Sequence, residues 1–95
     1  MKAYELLSDA SKWTQGTYAR DKSGLPINEY SRDAVCWCIR GAVKVCYCNN
    51  VRYEKYMQIA HAIILDGTWK DMVVWQDAPE RTFEEVRELL VRLDI

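Results

Sequence analysis

Four cysteines, Cys36, Cys38, Cys46 and Cys48, fall within thirteen residues, and four thiolates are enough to close a tetrahedral zinc site. Helical spacing works against that chemistry. On a helix Cys36 and Cys38 point about 200° apart, and Cys38 and Cys46 lie roughly 12 Å apart, so the sulfurs do not converge. Only a hairpin turning at Arg40-Gly41 would gather them. Disulfide frameworks of small secreted domains spread their cysteines along the chain, so reduced thiols with a packing role are the better reading, and zinc is the alternative.

A second constellation overlaps the first. Trp37, Arg40, Lys44 and Tyr47 follow one another at spacings of three, four and three, which places them on the side of a helix opposite its apolar stripe. Aromatic and basic residues interleaved in this way suit the core of a protein interface, and less well the stacking of nucleic-acid bases. A solvated face with one or two covered aromatics is the plain alternative. Four tryptophans are more than the core of so short a chain can hold, so at least one is expected at a surface or an interface.

A third group sits in expected loops. Arg20, Asp77 and Arg81 would form a polar ligand site if the loops met, although Asp77 as a turn residue and the arginines as ion-pair partners need no such site. The single histidine, His61, has no neighbour in sequence that would make it a base or a ligand and reads as structural. No P-loop, dinucleotide fingerprint, nucleophile elbow or His-Glu-x-x-His run is present, so neither an enzyme nor a cofactor is expected.

The elements that must position these groups read as mostly helical. Ala3, Leu6, Leu7, Ala10 and Trp13 recur at helical spacing and predict a first amphipathic helix over Lys2–Trp13. The stretch 17–28 then reads as a small β-hairpin or ordered loop around Asp21-Lys22-Ser23-Gly24, with Pro26 on an edge. In residues 35–48, valine, cysteine, tryptophan and tyrosine favour strand while the period favours helix. The period is followed here: the expected helix has Ser31 as its cap and Val35, Cys38, Ile39, Ala42, Val45 and Cys46 as its stripe. After Asn49-Asn50 a third helix, ending near Asp66-Gly67, would bury Tyr53, Tyr56, Met57, Ala60, Ile63 and Ile64. Thr68-Trp69-Lys70-Asp71 has the form of a capping box for a short segment through Trp75, which Asp77-Ala78-Pro79 stops. The last helix has the clearest start, Thr82 with Glu85 three residues on, and a core face of Phe83, Val86, Leu89, Leu90 and Leu93.

A chain of 95 residues with 49% apolar and 28% charged composition is ordinary globular usage. It has room for one core. Thirteen basic against fourteen acidic residues leave a net charge of −1, so no global field draws it to nucleic acid or to an anionic membrane. The opening residues lack an apolar signal-peptide region, and no apolar run reaches the length of a membrane span. A cytoplasmic protein is expected.

Four pieces together carry a resemblance: Trp13-Thr14-Gln15-Gly16, then Tyr18-Ala19-Arg20-Asp21 with Gly24, then Cys38-Ile39-Arg40-Gly41-Ala42, and finally Trp75-Gln76-Asp77 followed by Arg81-Thr82 and Glu85-Val86. Their order and spacing resemble a family of small bacterial and phage proteins of unknown function, whose pattern runs Trp-Thr-Gln-Gly, Cys-Ala-x-Gly-Ala, Trp-Asn-Asp and Arg-Thr-x-x-Glu-Val. Gln76 stands where asparagine is usual, and Cys36, Cys46 and Cys48 are additions. The resemblance implies helix for the Cys-x-x-Gly-Ala segment and a phage or bacterial source; it implies no mechanism.

The sequence thus reads as one domain over residues 1–95, mostly α, a compact bundle of four to five helices with a small hairpin near 17–28. Its expected core includes Leu6, Leu7, Trp13, Val35, Cys38, Ala42, Tyr53, Met57, Ala60, Ile64, Phe83, Val86 and Leu90. The expected function is non-enzymatic binding of a protein partner through Trp37, Arg40, Lys44 and Tyr47. In a phage setting that partner would be a host complex such as a defence nuclease. The alternatives are a zinc module built on the four cysteines, and a small ligand-binding protein or enzyme with a loop-built site.

Overall fold

The computed structural model describes residues 1–65 and 71–95. Its first helix is much shorter than the period suggests. Helix α1 covers Ala3–Leu6, the chain breaks at Leu7, and a single 3-10 turn follows at Ala10–Lys12. Asp9 causes the break. Its carboxylate accepts from the Ser11 amide at 2.9 Å, and a short polar side chain that bonds its own backbone favours a cap over a helix interior. Ala3 and Leu7 are buried all the same, and the Ala3 amide donates to the Ile95 carbonyl at 2.5 Å, which ties the start of the chain to its end.

Strand β1, Ala19–Arg20, pairs antiparallel with β2, Cys36–Trp37, with Ala19 opposite Trp37 and Arg20 opposite Cys36. The turn at 21–24 forms as expected: the Asp21 amide donates to the Leu25 carbonyl at 2.9 Å, Arg20 bridges Pro26, and Gly24 takes a φ of 84° that side chains rarely adopt. Residues 35–37 are therefore not helical, and the expected helix starts late. Helix α2 covers Ile39–Cys46; Cys38 caps it, its sulfur accepting from the Gly41 amide at 3.2 Å. Ser31 accepts from Asp33 in a turn instead, and Val35 is exposed. Strand propensity prevailed where a partner strand was available, and helical period prevailed beyond it. Gly41 lies where the two meet. A Cβ there would stand 2.3 Å from the Tyr18 carbonyl oxygen, so the helix can press on the extended chain only through glycine.

Helix α3, Asn49–Leu65, turns to the core only part of the expected face: Ile63 is buried and Tyr56 packs against the core as expected. Ile59, Ala62 and Ile63 are buried, whereas Tyr53, Met57 and Ile64 remain 66%, 53% and 55% exposed. Apolar residues lie on both sides of this helix, so the period cannot choose between them. Packing against α2, against α4 (Met72–Asp77) and against α5 (Phe83–Leu93) makes the choice. Asp71 caps α4, accepting from Val73 N at 2.7 Å; the rest of the expected capping box, residues 68–70, lies outside the described residues. Helix α5 follows expectation. Thr82 and Glu85 form the reciprocal box, and Val86, Leu89 and Leu90 are buried. Among the described residues no helix is long and apolar enough to cross a membrane.

Candidate functional site

Gln76 is 1% exposed, and a buried carboxamide must find partners for two donors and an acceptor. It finds them all. Its oxygen accepts from Trp13 Nε1 at 2.5 Å and from the Ile39 amide at 2.8 Å. Its nitrogen donates to the Thr14 carbonyl at 3.2 Å and to Asp77 Oδ1 at 2.7 Å. The Ile39 amide is one of the donors that the first turn of α2 leaves open, so Gln76 and Cys38 cap that helix together. Gln15 returns the contact, donating to the Gln76 and Ala78 carbonyls at 2.8 and 3.0 Å where α4 ends. The Gly16 amide donates to Asp77 Oδ1 at 3.1 Å. Three of the four pieces that carry the resemblance meet at this node.

The expected polar loop site is taken apart by the same contacts. Arg20 donates to Thr14 Oγ1, the Gln15 carbonyl and the Gly24 carbonyl at 2.8–3.0 Å, which pins the loop to its hairpin. Arg81 donates to the Trp75 carbonyl at 2.9 Å, lies 4.0 Å over the Trp75 ring and pairs with Glu85 at 2.8 Å. The third residue, Asp77, is half-buried like the two arginines. It lines a cleft of about 160 Å³ together with Gly16, Thr17, Tyr18, Cys38, Arg40, Val73 and Gln76.

Cys38 brings no nucleophile to that cleft. Burial pushes its thiol up, and the negative charge of Asp77 acts in the same direction, so it stays protonated and serves as a helix cap. His61 stands exposed on α3 and does not line the cleft. The zinc alternative finds no cluster either: all four cysteines are free thiols, and among the described residues no three histidine, cysteine or acidic side chains are grouped to hold a metal ion. With Cys36 in a strand, Cys38 and Cys46 at opposite ends of α2 and Cys48 beyond it, the sulfurs are distributed over three elements.

The mouth of the cleft opens onto a basic and aromatic face whose membership differs from the expected one. Arg40 is exposed, its guanidinium 5.5 Å from the Tyr18 ring and 5.8 Å from the Tyr56 ring. Lys44, one turn on, lies 4.9 Å from Tyr18 and 5.8 Å from Tyr30, and its ammonium pairs with buried Glu29 at 2.6 Å. That hydrogen bond raises the Lys44 pKa above its ordinary value. For Glu29, burial is the largest single influence and opposes ionisation. The Lys44 hydrogen bond, a backbone N–H and the charges of Lys44 and Arg52 together outweigh it and hold the carboxyl below its ordinary value. Arg52 donates to the Tyr30 hydroxyl at 2.8 Å and to the Tyr47 carbonyl at 3.1 Å.

Trp37 and Tyr47 leave the expected face. Trp37 belongs to β2, packs on the core and donates from Nε1 to the Glu29 carbonyl at 3.0 Å. Tyr47 is the C-cap of α2, packs on the core and donates to the Ile95 carbonyl at 2.5 Å. Their places are taken by Tyr18, Tyr30 and Tyr56, which come from three other segments. Tyr56 and Arg52 sit four apart on α3, a spacing that signals a shared face; Tyr18 and Tyr30 carry no such signal, because loops bring them in.

A family model described as a family of unknown function, DUF6197, matches residues 1–93. No curated protein and no solved structure matches the chain.

Proposed function

We propose that this chain, which belongs to that family of unknown function, is a non-enzymatic protein-binding module whose contact surface is centred on Arg40. One observation carries the reading. Arg40 is an exposed arginine lying over two tyrosine rings at the mouth of a cleft, and among the described residues no carboxylate pairs with its guanidinium. Tyrosine and arginine are the residue types that dominate binding energy at protein interfaces, above all beside a pocket. Steering is local, because the net charge of −1 supplies no global field. The resemblance to phage proteins supports one concrete form of such a module, an accessory factor that inhibits a host complex such as a defence nuclease.

The test is a matched pair of charge reversals. Arg40→Glu is expected to lower recovery of a co-purifying partner at least about tenfold. Arg32→Glu, an exposed arginine that does not line this cleft, is expected to leave recovery unchanged. Equal recovery with both variants would remove Arg40 from the interface.

A further inference from the structure

We infer that the group Arg40 receives is a carboxylate of an acidic peptide segment, with a neighbouring uncharged side chain of that segment entering the cleft; this rests on the protein-binding reading above. Three cations stand on the face, and two are already engaged. Lys44 is neutralised by Glu29 at 2.6 Å, and Arg52 is held by the Tyr30 hydroxyl and the Tyr47 carbonyl. Arg40 meets the Tyr56 hydroxyl with one side of its fork, and among the described residues no carboxylate pairs with it. The Tyr18 and Tyr56 rings flank the guanidinium and the Tyr56 hydroxyl engages one side of it, which leaves donors to spare, since an arginine fork offers five in one plane and its faces stack on aromatics. What such a fork recognises best is a planar pair of oxygens.

The cleft beside it sorts peptide from nucleic acid. At about 160 Å³ it is well below the size of ordinary small-molecule sites and matches a single side chain. Its wall carries the Asp77 carboxylate beside Thr17 and Val73. A polyanion seated on Arg40 and entering the cleft would set negative charge against the Asp77 carboxylate that lines it, and like charges repel. A peptide with one acidic residue and an uncharged neighbour meets no such conflict. The neighbour finds the Val73 side chain for an apolar contact and the Thr17 hydroxyl for a polar one.

The experiment uses the whole chain, labelled with ¹⁵N, and two synthetic probes: a capped peptide with a single glutamate flanked by valine in a glycine-serine background, and its glutamine counterpart. Oligothymidylate is a third probe, and all are titrated at matched ionic strength. The glutamate peptide is expected to shift the Arg40 Nε–Hε resonance and the Thr17, Tyr18 and Val73 amides, with the glutamine peptide about tenfold weaker or more. Arg40→Gln is expected to abolish the shifts, and Tyr56→Phe, which keeps the ring, to retain them. Equal response to both peptides, no response to either, or a response only to oligothymidylate overturns the carboxylate assignment. The two readings fail separately. A co-purifying partner that depends on Arg40 but keeps binding after its acidic residues are neutralised rejects the carboxylate and leaves the interface. A glutamate-specific shift in a chain whose partner ignores Arg40→Glu does the reverse.

Discussion

The Gln76 node and the Arg40 face lie on the two sides of one cleft, and both are built from polar groups, yet they treat those groups in opposite ways. At the node every donor and acceptor of the Gln76 side chain is consumed within the chain. On the face the central guanidinium is flanked by rings and, among the described residues, has no carboxylate partner. The pieces that carry the resemblance, Trp13–Gly16, Cys38–Ala42 and Trp75–Asp77, belong chiefly to the node. Their contacts close a helix start, a helix end and a loop against one another, which is structural chemistry. Resemblance in those pieces therefore reports the scaffold, while specificity is expected from Tyr18, Tyr30, Lys44, Arg52 and Tyr56, most of which lie outside them.

The sharpest way to break this comparison is at the node. Gln76→Leu keeps the volume roughly constant but leaves the Trp13 indole N–H, the Ile39 amide and the Thr14 carbonyl without their partner. Each buried, unpaired group costs about 1–3 kcal/mol. A net loss of about 3 kcal/mol is expected in urea denaturation with unchanged slope. A loss under about 1 kcal/mol would mean that Gln76 is no hub.

The Lys44–Glu29 ion pair on the face should respond to pH. The Glu29 carboxyl is held below its ordinary value, so the stability it contributes is present above that value and is lost as pH falls through the lowered one. The Lys44 ammonium is raised, so its contribution is present at neutral pH and lost only as pH rises through the raised value. Glu29→Gln is expected to cost about 1–3 kcal/mol at neutral pH, because it leaves Lys44 uncompensated beside a buried amide. It should also flatten the acid limb of the stability curve. An unchanged acid limb would place the responsible carboxylate elsewhere, with Glu85, also lowered by its Thr82 backbone contact, next to be tested.

The smallest expected effect sharpens the contrast. Arg40→Gln should alter stability by less than about 0.5 kcal/mol, since an exposed side chain without a carboxylate partner among the described residues contributes little to the fold. A loss comparable to that of Gln76→Leu, read from the same denaturation midpoints, would make Arg40 a structural residue and dissolve the distinction.

Legibility in the sequence followed the range of the interactions involved. Helix α5 and the turn at 21–24 were legible because Thr82 with Glu85, and Asp21 with Gly24, act within four residues of one another. The basic pair Arg40 and Lys44 was legible for the same reason, standing one helical turn apart. Trp37 and Tyr47 were misplaced because a helix was extended through residues that pair with β1 at one end and cap α2 at the other. The inner face of α3 was misassigned in part because Met57 and Ile59 are both apolar and only neighbouring helices tell them apart.

The amino-acid sequence by itself determined a largely helical chain, the capped start of α5, the short hairpin and the pair of cations on α2, because local hydrogen bonds and side-chain period are encoded within a few residues. Tertiary structure alone decided which cations remain available and what flanks them. Gln76 finds Trp13 and Ile39, Lys44 finds Glu29, and Arg40 finds Tyr18 and Tyr56 across long stretches of chain. A polar group is spent or free only once the partners that can reach it have been brought together.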